Sequence, residues 1–177
     1  GKPKDAVTTL AAIRERAGLG VTVTHEPGCE PGCRGEFAFE EAAAAAREAD
    51  LVVAVLGEPW WLTAEGTSRT KLGLPNHQQA LLEAVAAAGK PVVLVVLAGR
   101  PMALTWAVEK LPAVMLAFSP GTMGGQAIAD VLFGDADAGG RLPMTMPRSV
   151  GQIPIYYNHL PTGRPPTGDH FSSKYID

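Results

Sequence analysis

The chain has 177 residues, 46% of them hydrophobic and 19% charged, with a formal net charge of −3. That is the balance of an ordinary globular protein, with enough chain for one domain-sized core. It has no basic surplus of the kind a nucleic-acid binder carries, and its longest apolar runs, such as PVVLVVLAG, are too short to span a bilayer. Neither nucleic acid nor membrane is therefore an expected partner.

The chain opens GKPKDAVTTL, without a leader pattern, and is expected to be a piece of a longer protein. Residues 5–17 place Val7, Leu10, Ala11 and Ile13 at helical spacing, with Gly18 as a stop. Residues 20–25 (GVTVTH) alternate like a strand. Cys29 and Cys33 follow in GCEPGC. They are too few for a zinc site, and no histidine comes after them at finger spacing. They form either a disulfide, as suits an exported protein, or two free thiols in a loop. Residues 37–49 predict an alanine-rich helix and 50–57 (DLVVAVLG) an apolar strand. A helix is expected over 76–88, with Asn76 as its N-cap and Gly89 after its end. Residues 90–99 and 113–119 predict buried strands, 105–110 a short helix, and 122–134 a helix that starts on glycine. Residues 140–147 (GRLPMTMP) predict a late edge strand whose pairing Pro143 limits.

Strands apolar on both faces, alternating with helices, predict an α/β fold: a three-layer αβα sandwich on a mostly parallel sheet. The sandwich should occupy 1–147. Residues 148–177, rich in Pro, Gly and aromatics, should form an extended C-terminal arm. Sites in such sheets lie beyond the carboxyl ends of the strands. Three loops qualify: 57–75, 98–104 and 119–125. The first carries LGEPWWLTAEGTSRT, with Glu58, Trp60, Trp61, Glu65 and Arg69 close together.

Several chemistries are poorly supported. The glycines of PGTMGGQA lack both GxGxxG spacing and a Walker-type Gly-Lys-Ser/Thr, and tight turns alone account for them. His25, His77, His159 and His170 share no metal-ligand spacing, and no serine sits in a G-x-S-x-G elbow. No metal and no cofactor is expected. The carboxylates Glu58 and Glu65 remain. A proton-donating carboxyl needs a raised pKa, which an apolar wall supplies by desolvation. Trp60 and Trp61 can form such a wall, and indoles also stack on sugar faces.

The segments ADLVVAVLGE, SRTKLGLPNHQQALLEAVAAAGKPVVLVVLAGRPMAL, IADVLFGDADAGGRLPMTMPRSVGQIPIYYNH and PTGRP resemble the C-terminal α/β-sandwich domain of glycoside hydrolase family 3. The likeness is greatest to its bacterial periplasmic-type β-glucosidases. The resemblance implies a retaining, exo-acting enzyme that removes terminal β-D-glucosyl residues. It also implies an N-terminal barrel domain that supplies a nucleophilic aspartate. The family's E-x-S-S-R pattern falls on Glu65-Gly66-Thr67-Ser68-Arg69, so the resemblance gives Glu65 the acid/base role. Glu58 then becomes a supporting residue at the strand end, and Arg69 is expected to orient a carboxylate or hold the loop. Asp135 and Asp137 match a structural turn of the family rather than its nucleophile.

Two departures stand out. Met123 replaces the glutamate usual in the family's PG-x-E-GG turn, and Trp60 and Trp61 are unusual before Glu65. Met123 keeps alive a rival reading, a non-catalytic carbohydrate-binding or interaction module from a degenerate member. A nucleotide-binding flavodoxin-like domain rests on the fold pattern alone and lacks a phosphate motif.

Overall fold

A computed structural model describes residues 5–35, 37–160, 163–165, 167, 171 and 172. His170 and parts of the C-terminal arm lie outside the described residues. In chain order come α1 (Thr9–Arg16), α2 (Phe39–Glu48), β1 (Val52–Gly57), α3 (Trp60–Thr63), α4 (Gln78–Ala86), β2 (Val92–Leu97), α5 (Thr105–Lys110), β3 (Ala113–Leu116) and α6 (Gly124–Phe133). A 3-10 turn at Val150–Gln152 follows. None of these helices is long and apolar enough to cross a membrane.

The local chemistry accounts for most of these elements. Thr8 caps α1, its Oγ1 accepting from the Ala11 N–H at 3.1 Å. In α2 the alanine run favours helix, and Glu40 and Glu41 at the start with Arg47 at the end complement the helix dipole. Gly134 ends α6 in the left-handed region at φ 80°.

The three strands are parallel, in the order β1-β2-β3. Their register aligns Leu56 with Val96 and Val96 with Leu116, so their carboxyl ends finish in step. On one face Val92, Leu94 and Val96 pack with Leu81, Leu82 and Val85 of α4 and with Ala42 and Ala46 of α2. Each fully buried Leu or Val of this set contributes about 1.5–3 kcal/mol of transfer free energy. Val95 points to the opposite face of β2 and is also fully buried, so both faces of the central strand are covered. Helices α1 and α6 pack against each other, burying Ala12, Ile128 and Ala129. Gly125 permits this contact: a Cβ there would lie 2.4 Å from the Val7 carbonyl.

Three expectations are corrected. Residues 20–25 form no strand. A strand exists through its ladder partner, and an open cleft separates this part of the chain from the free edge of β1. Residues 140–147 also form no strand, so the late edge strand is absent. Leu142 and Met144 face solvent, and Pro143 offers no N–H to the edge of β3. Asn76 does not cap α4. It sits at φ 49°, outside the extended region an N-cap adopts, His77 takes the cap position, and Asn76 Nδ2 donates to Gly32 O at 2.7 Å.

Gly57 is the tightest point of the sheet. Its φ is 140°, and a Cβ there would lie 1.9 Å from the Leu97 carbonyl oxygen. Gly57→Ala should therefore cost on the order of 3–5 kcal/mol, through strain and displacement of β2. A urea melt should show the midpoint falling with an unchanged slope.

Candidate functional site

The aligned strand ends deliver three loops to one edge of the sheet. Backbone bonds tie them together: Glu58 N–H to Leu97 O at 2.7 Å, Ala98 N–H to Phe118 O at 3.1 Å, and Ala103 N–H to Leu72 O at 2.9 Å.

Glu58 sits at the centre of this weave. Its side chain is 0% exposed, and it pairs with two arginines. Arg69 Nη1 donates to Oε1 at 2.5 Å. Arg100 Nε lies 3.0 Å from Oε1 and 3.2 Å from Oε2, and the Gly99 N–H reaches Oε2 at 3.3 Å. Taking a carboxylate fully out of water is expensive unless cations and hydrogen bonds replace the lost hydration. Here two guanidinia and an amide do so.

The arginines pass that anchorage outward. Arg69 Nη2 donates to Gly73 O at 3.1 Å. Arg100 Nη2 donates to Leu62 O at 2.7 Å and to Thr67 O at 3.1 Å. Those two carbonyls flank the turn that carries Glu65. The turn is closed by the Thr67 N–H on Ala64 O at 3.1 Å, with Gly66 at φ 76° supplying the left-handed residue it needs. Thr67 Oγ1 reinforces it by donating to Leu62 O at 3.2 Å and to Ala64 O. Glu65 is thus the exposed tip of a turn whose base is held on both sides.

The two loop carboxylates therefore occupy opposite environments. Glu58 accepts hydrogen bonds on both oxygens, and its side chain has no access to solvent. Glu65 is exposed, with no hydrogen bond or ion pair among the described residues. A carboxyl that exchanges protons with an external molecule must be reachable, and of the two only Glu65 is.

The sequence-predicted residues are not all gathered at one point. Trp60 and Trp61 lie on the single-turn α3, edge to face with ring centroids 5.8 Å apart. Trp60 is 76% exposed and Trp61 37%. Trp61 leans on the cysteine turn: its Cζ2 lies 3.5 Å from where a Cβ on Gly32 would be. Met123 is exposed at the start of α6. Around it Gly121 supplies a positive φ of 76°, and Gly124 and Gly125 permit close packing on Pro120 and Val7. Asp135 Oδ2 accepts from Arg16 Nε on the surface, joining α6 to α1.

Two residues that hold this loop escaped the sequence reading. Arg100 gave a weak signal, since it lies just past a strand's carboxyl end. Gln78 gave none. It is buried, with Oε1 accepting from the Gly57 N–H at 2.8 Å and Nε2 donating to Gly57 O at 2.8 Å and to Pro31 O at 3.3 Å. Cys29 and Cys33 are bridged by a disulfide. Within that turn the amides of Arg34 and Gly32 donate to the Glu30 carboxylate and hold its pKa below the ordinary 4.5.

Glu58→Gln should cost about 2–4 kcal/mol, because it strands two guanidinia that are only 13% and 23% exposed. Asp135→Asn, at an exposed pair, should cost under about 1 kcal/mol. Thermal melts of both variants test the contrast. The depressed pKa of Glu30 carries a second expectation. Its contribution to stability is complete above the ordinary carboxylate range and is lost as pH falls through the lowered folded value. The Gly32 and Arg34 amide resonances should titrate below pH 4.5 and stop doing so in Glu30→Gln.

Comparison with known proteins places this arrangement. The profile of the Glycosyl hydrolase family 3 C-terminal domain matches residues 1–175. The chain is 40% identical to a periplasmic beta-glucosidase of Salmonella typhimurium, across all of this chain and 26% of that protein. It is 35% identical to a beta-xylosidase of Formosa agariphila, across 91% of this chain and 22% of that one. Among solved structures, a beta-glucosidase from Listeria innocua in complex with isofagomine superposes with a TM-score of 0.87 at 35% identity. That match covers all of this chain and 25% of the other. A b-glucosidase from Erythrobacter marinus gives 0.81 at 34% identity, across 98% of this chain and 27% of its own. The chain thus spans about a quarter of the length of these relatives. Matched from end to end in sequence and in fold, it belongs to glycosyl hydrolase family 3, as the C-terminal domain.

Proposed function

We propose that the chain is the α/β domain of a retaining, exo-acting β-glucosidase, and that it supplies Glu65 as general acid/base to a site shared with an N-terminal barrel domain. The observation that carries this reading is the end-to-end likeness to a periplasmic beta-glucosidase. The different surroundings of the two loop carboxylates support the choice of Glu65. A retaining mechanism uses two carboxyl groups roughly 5–5.5 Å apart, one nucleophilic and one shuttling the proton. Glu58, enclosed by Arg69 and Arg100, is occupied as the anchor of the loop. The second carboxyl comes from the barrel. Exposed apolar side chains on the arm, with Tyr157 97% and Leu160 85% exposed, fit a surface that meets another domain.

In this mechanism Glu65 protonates the glycosidic oxygen as the bond to the leaving group breaks. It then takes a proton from the water that releases the sugar from the nucleophile. Arg100 and Arg69 hold the turn in place and take no part in proton transfer. Trp60 offers an indole face on which the departing portion of the substrate stacks.

In the full-length enzyme, Glu65→Ala should lower glycosylation by about a hundredfold or more for poor leaving groups and little for good ones, which depart without protonation. Equal loss across a series of aryl β-glucosides would count against the role. The isolated chain should fold and yet hydrolyse no glycoside. Steady turnover by that chain alone would overturn the shared site.

A further inference from the structure

The Cys29–Cys33 bridge closes a turn of sequence separation 4. Its contacts run toward the site. Asn76 Nδ2 donates to Gly32 O at 2.7 Å, and the His77 N–H donates to Cys33 O at 3.3 Å. Between those contacts and the strand end stands Gln78, whose one amide holds both Pro31 O of the turn and Gly57 of β1. Glu58 is the next residue along. On the other flank, the Trp61 ring stands beside Gly32, its Cζ2 3.5 Å from where a Cβ there would lie, one residue before Leu62, whose carbonyl Arg100 grips. The turn therefore borders the loop on both sides: it is bonded through Gln78 to the loop's root and lies beside Trp61 at the stem of the Glu65 turn.

We propose that the disulfide-closed Cys29–Cys33 turn, acting through Gln78 and Trp61, is a positioning element for the loop that carries Glu65. Its catalytic consequence rests on the acid/base reading of Glu65; its effect on loop geometry does not. Closing the ring limits the conformations of Pro31 and Gly32, and so fixes where the Pro31 carbonyl and the Gly32 surface stand. Opening it releases both. The chemistry of opening is thiol–disulfide exchange. Cys29 lines an open cleft of about 380 Å³, whereas Cys33 is fully buried. A dithiol thiolate attacks Cys29 Sγ, and Cys33 leaves as a thiolate and takes up a proton. The reagent's second thiol then resolves the mixed disulfide, so the dithiol is oxidised as the two cysteines are reduced.

The test uses the full-length enzyme carrying fluorotryptophan, with the Trp61 resonance assigned by its loss in Trp61→Phe. Dithiothreitol is the dithiol, and thiol titration confirms opening. A Cys29→Ser/Cys33→Ser variant covers a bridge that resists reduction. The expected result is a shift of the Trp61 resonance and a fall of about tenfold in kcat/KM for poor-leaving-group aryl glucosides, with less than about twofold for good ones. Gln78→Met should show the same leaving-group bias with the bridge intact. If opening the bridge lowers the thermal midpoint but moves neither the Trp61 resonance nor the leaving-group ratio, the turn is only a staple and the proposal falls. If Glu65→Ala affects all substrates equally while Trp61 still shifts, the positioning of the loop stands and the acid/base reading fails.

Discussion

Everything at the carboxyl edge of the sheet depends on one buried carboxylate. Glu58 is the first residue past β1 and is closed off from water. An unpaired carboxylate could not remain there. The two guanidinia that neutralise it come from different loops, Arg69 from the loop it begins and Arg100 from the loop after β2. A planar, five-donor cation can bind a carboxylate and still have N–H groups left over. Those remaining donors reach Gly73, Leu62 and Thr67. A long polar loop with only a single turn of helix inside it thereby acquires a defined shape. A lysine at either position could make the ion pair but could not reach a second carbonyl with the same rigidity.

Behind this hub lies a second constraint, the root of β1. Gly57 approaches the Leu97 carbonyl so closely that no side chain fits, and β1 has no neighbouring strand on its other edge among the described residues. Gln78 supplies what such a strand would have supplied, one acceptor for the Gly57 N–H and one donor to the Gly57 carbonyl. Leaving those backbone groups unpaired in a buried place would cost about as much as several ordinary hydrogen bonds contribute. A side chain projecting from the first turn of α4 takes the part of a ladder partner, and the same amide reaches the cysteine turn. Helix, strand end and disulfide thus meet at one residue.

How much of this was legible in the sequence differs between fold and site. The apolar runs that became β1, β2 and β3, and the helices between them, follow from periodicity and from glycine, and the most continuous of these runs is the central strand, covered on both faces. The short helix at 105–110 matches its prediction to the residue. Element ends shifted inward by a few residues where fraying, rather than composition, sets the limit. The two missing strands failed for a shared reason. Residues 20–25 have the alternation of a strand and 140–147 the apolar content, yet a strand is a property of two segments, and each of these lacks a partner in the structure.

For the site, residue types and placement by themselves singled out 57–75 as the loop to examine, since sites of parallel sheets gather beyond the strand ends. They also offered two carboxylates there with nothing in their chemistry to separate them; only likeness to a family favoured Glu65. The tertiary structure decided which glutamate is sealed and which is open, because burial depends on residues distant in sequence. Arg100 lies 42 positions from Glu58, and Gln78 lies 47 from Pro31. The structure also bridges Cys29 to Cys33, where the sequence left two free thiols open. Sequence by itself determined the alternation of strand and helix, which local periodicity encodes. The folded chain alone decided the hub on Glu58 and the clamp on Gly57, since an ion pair or a hydrogen bond is set by distance in space.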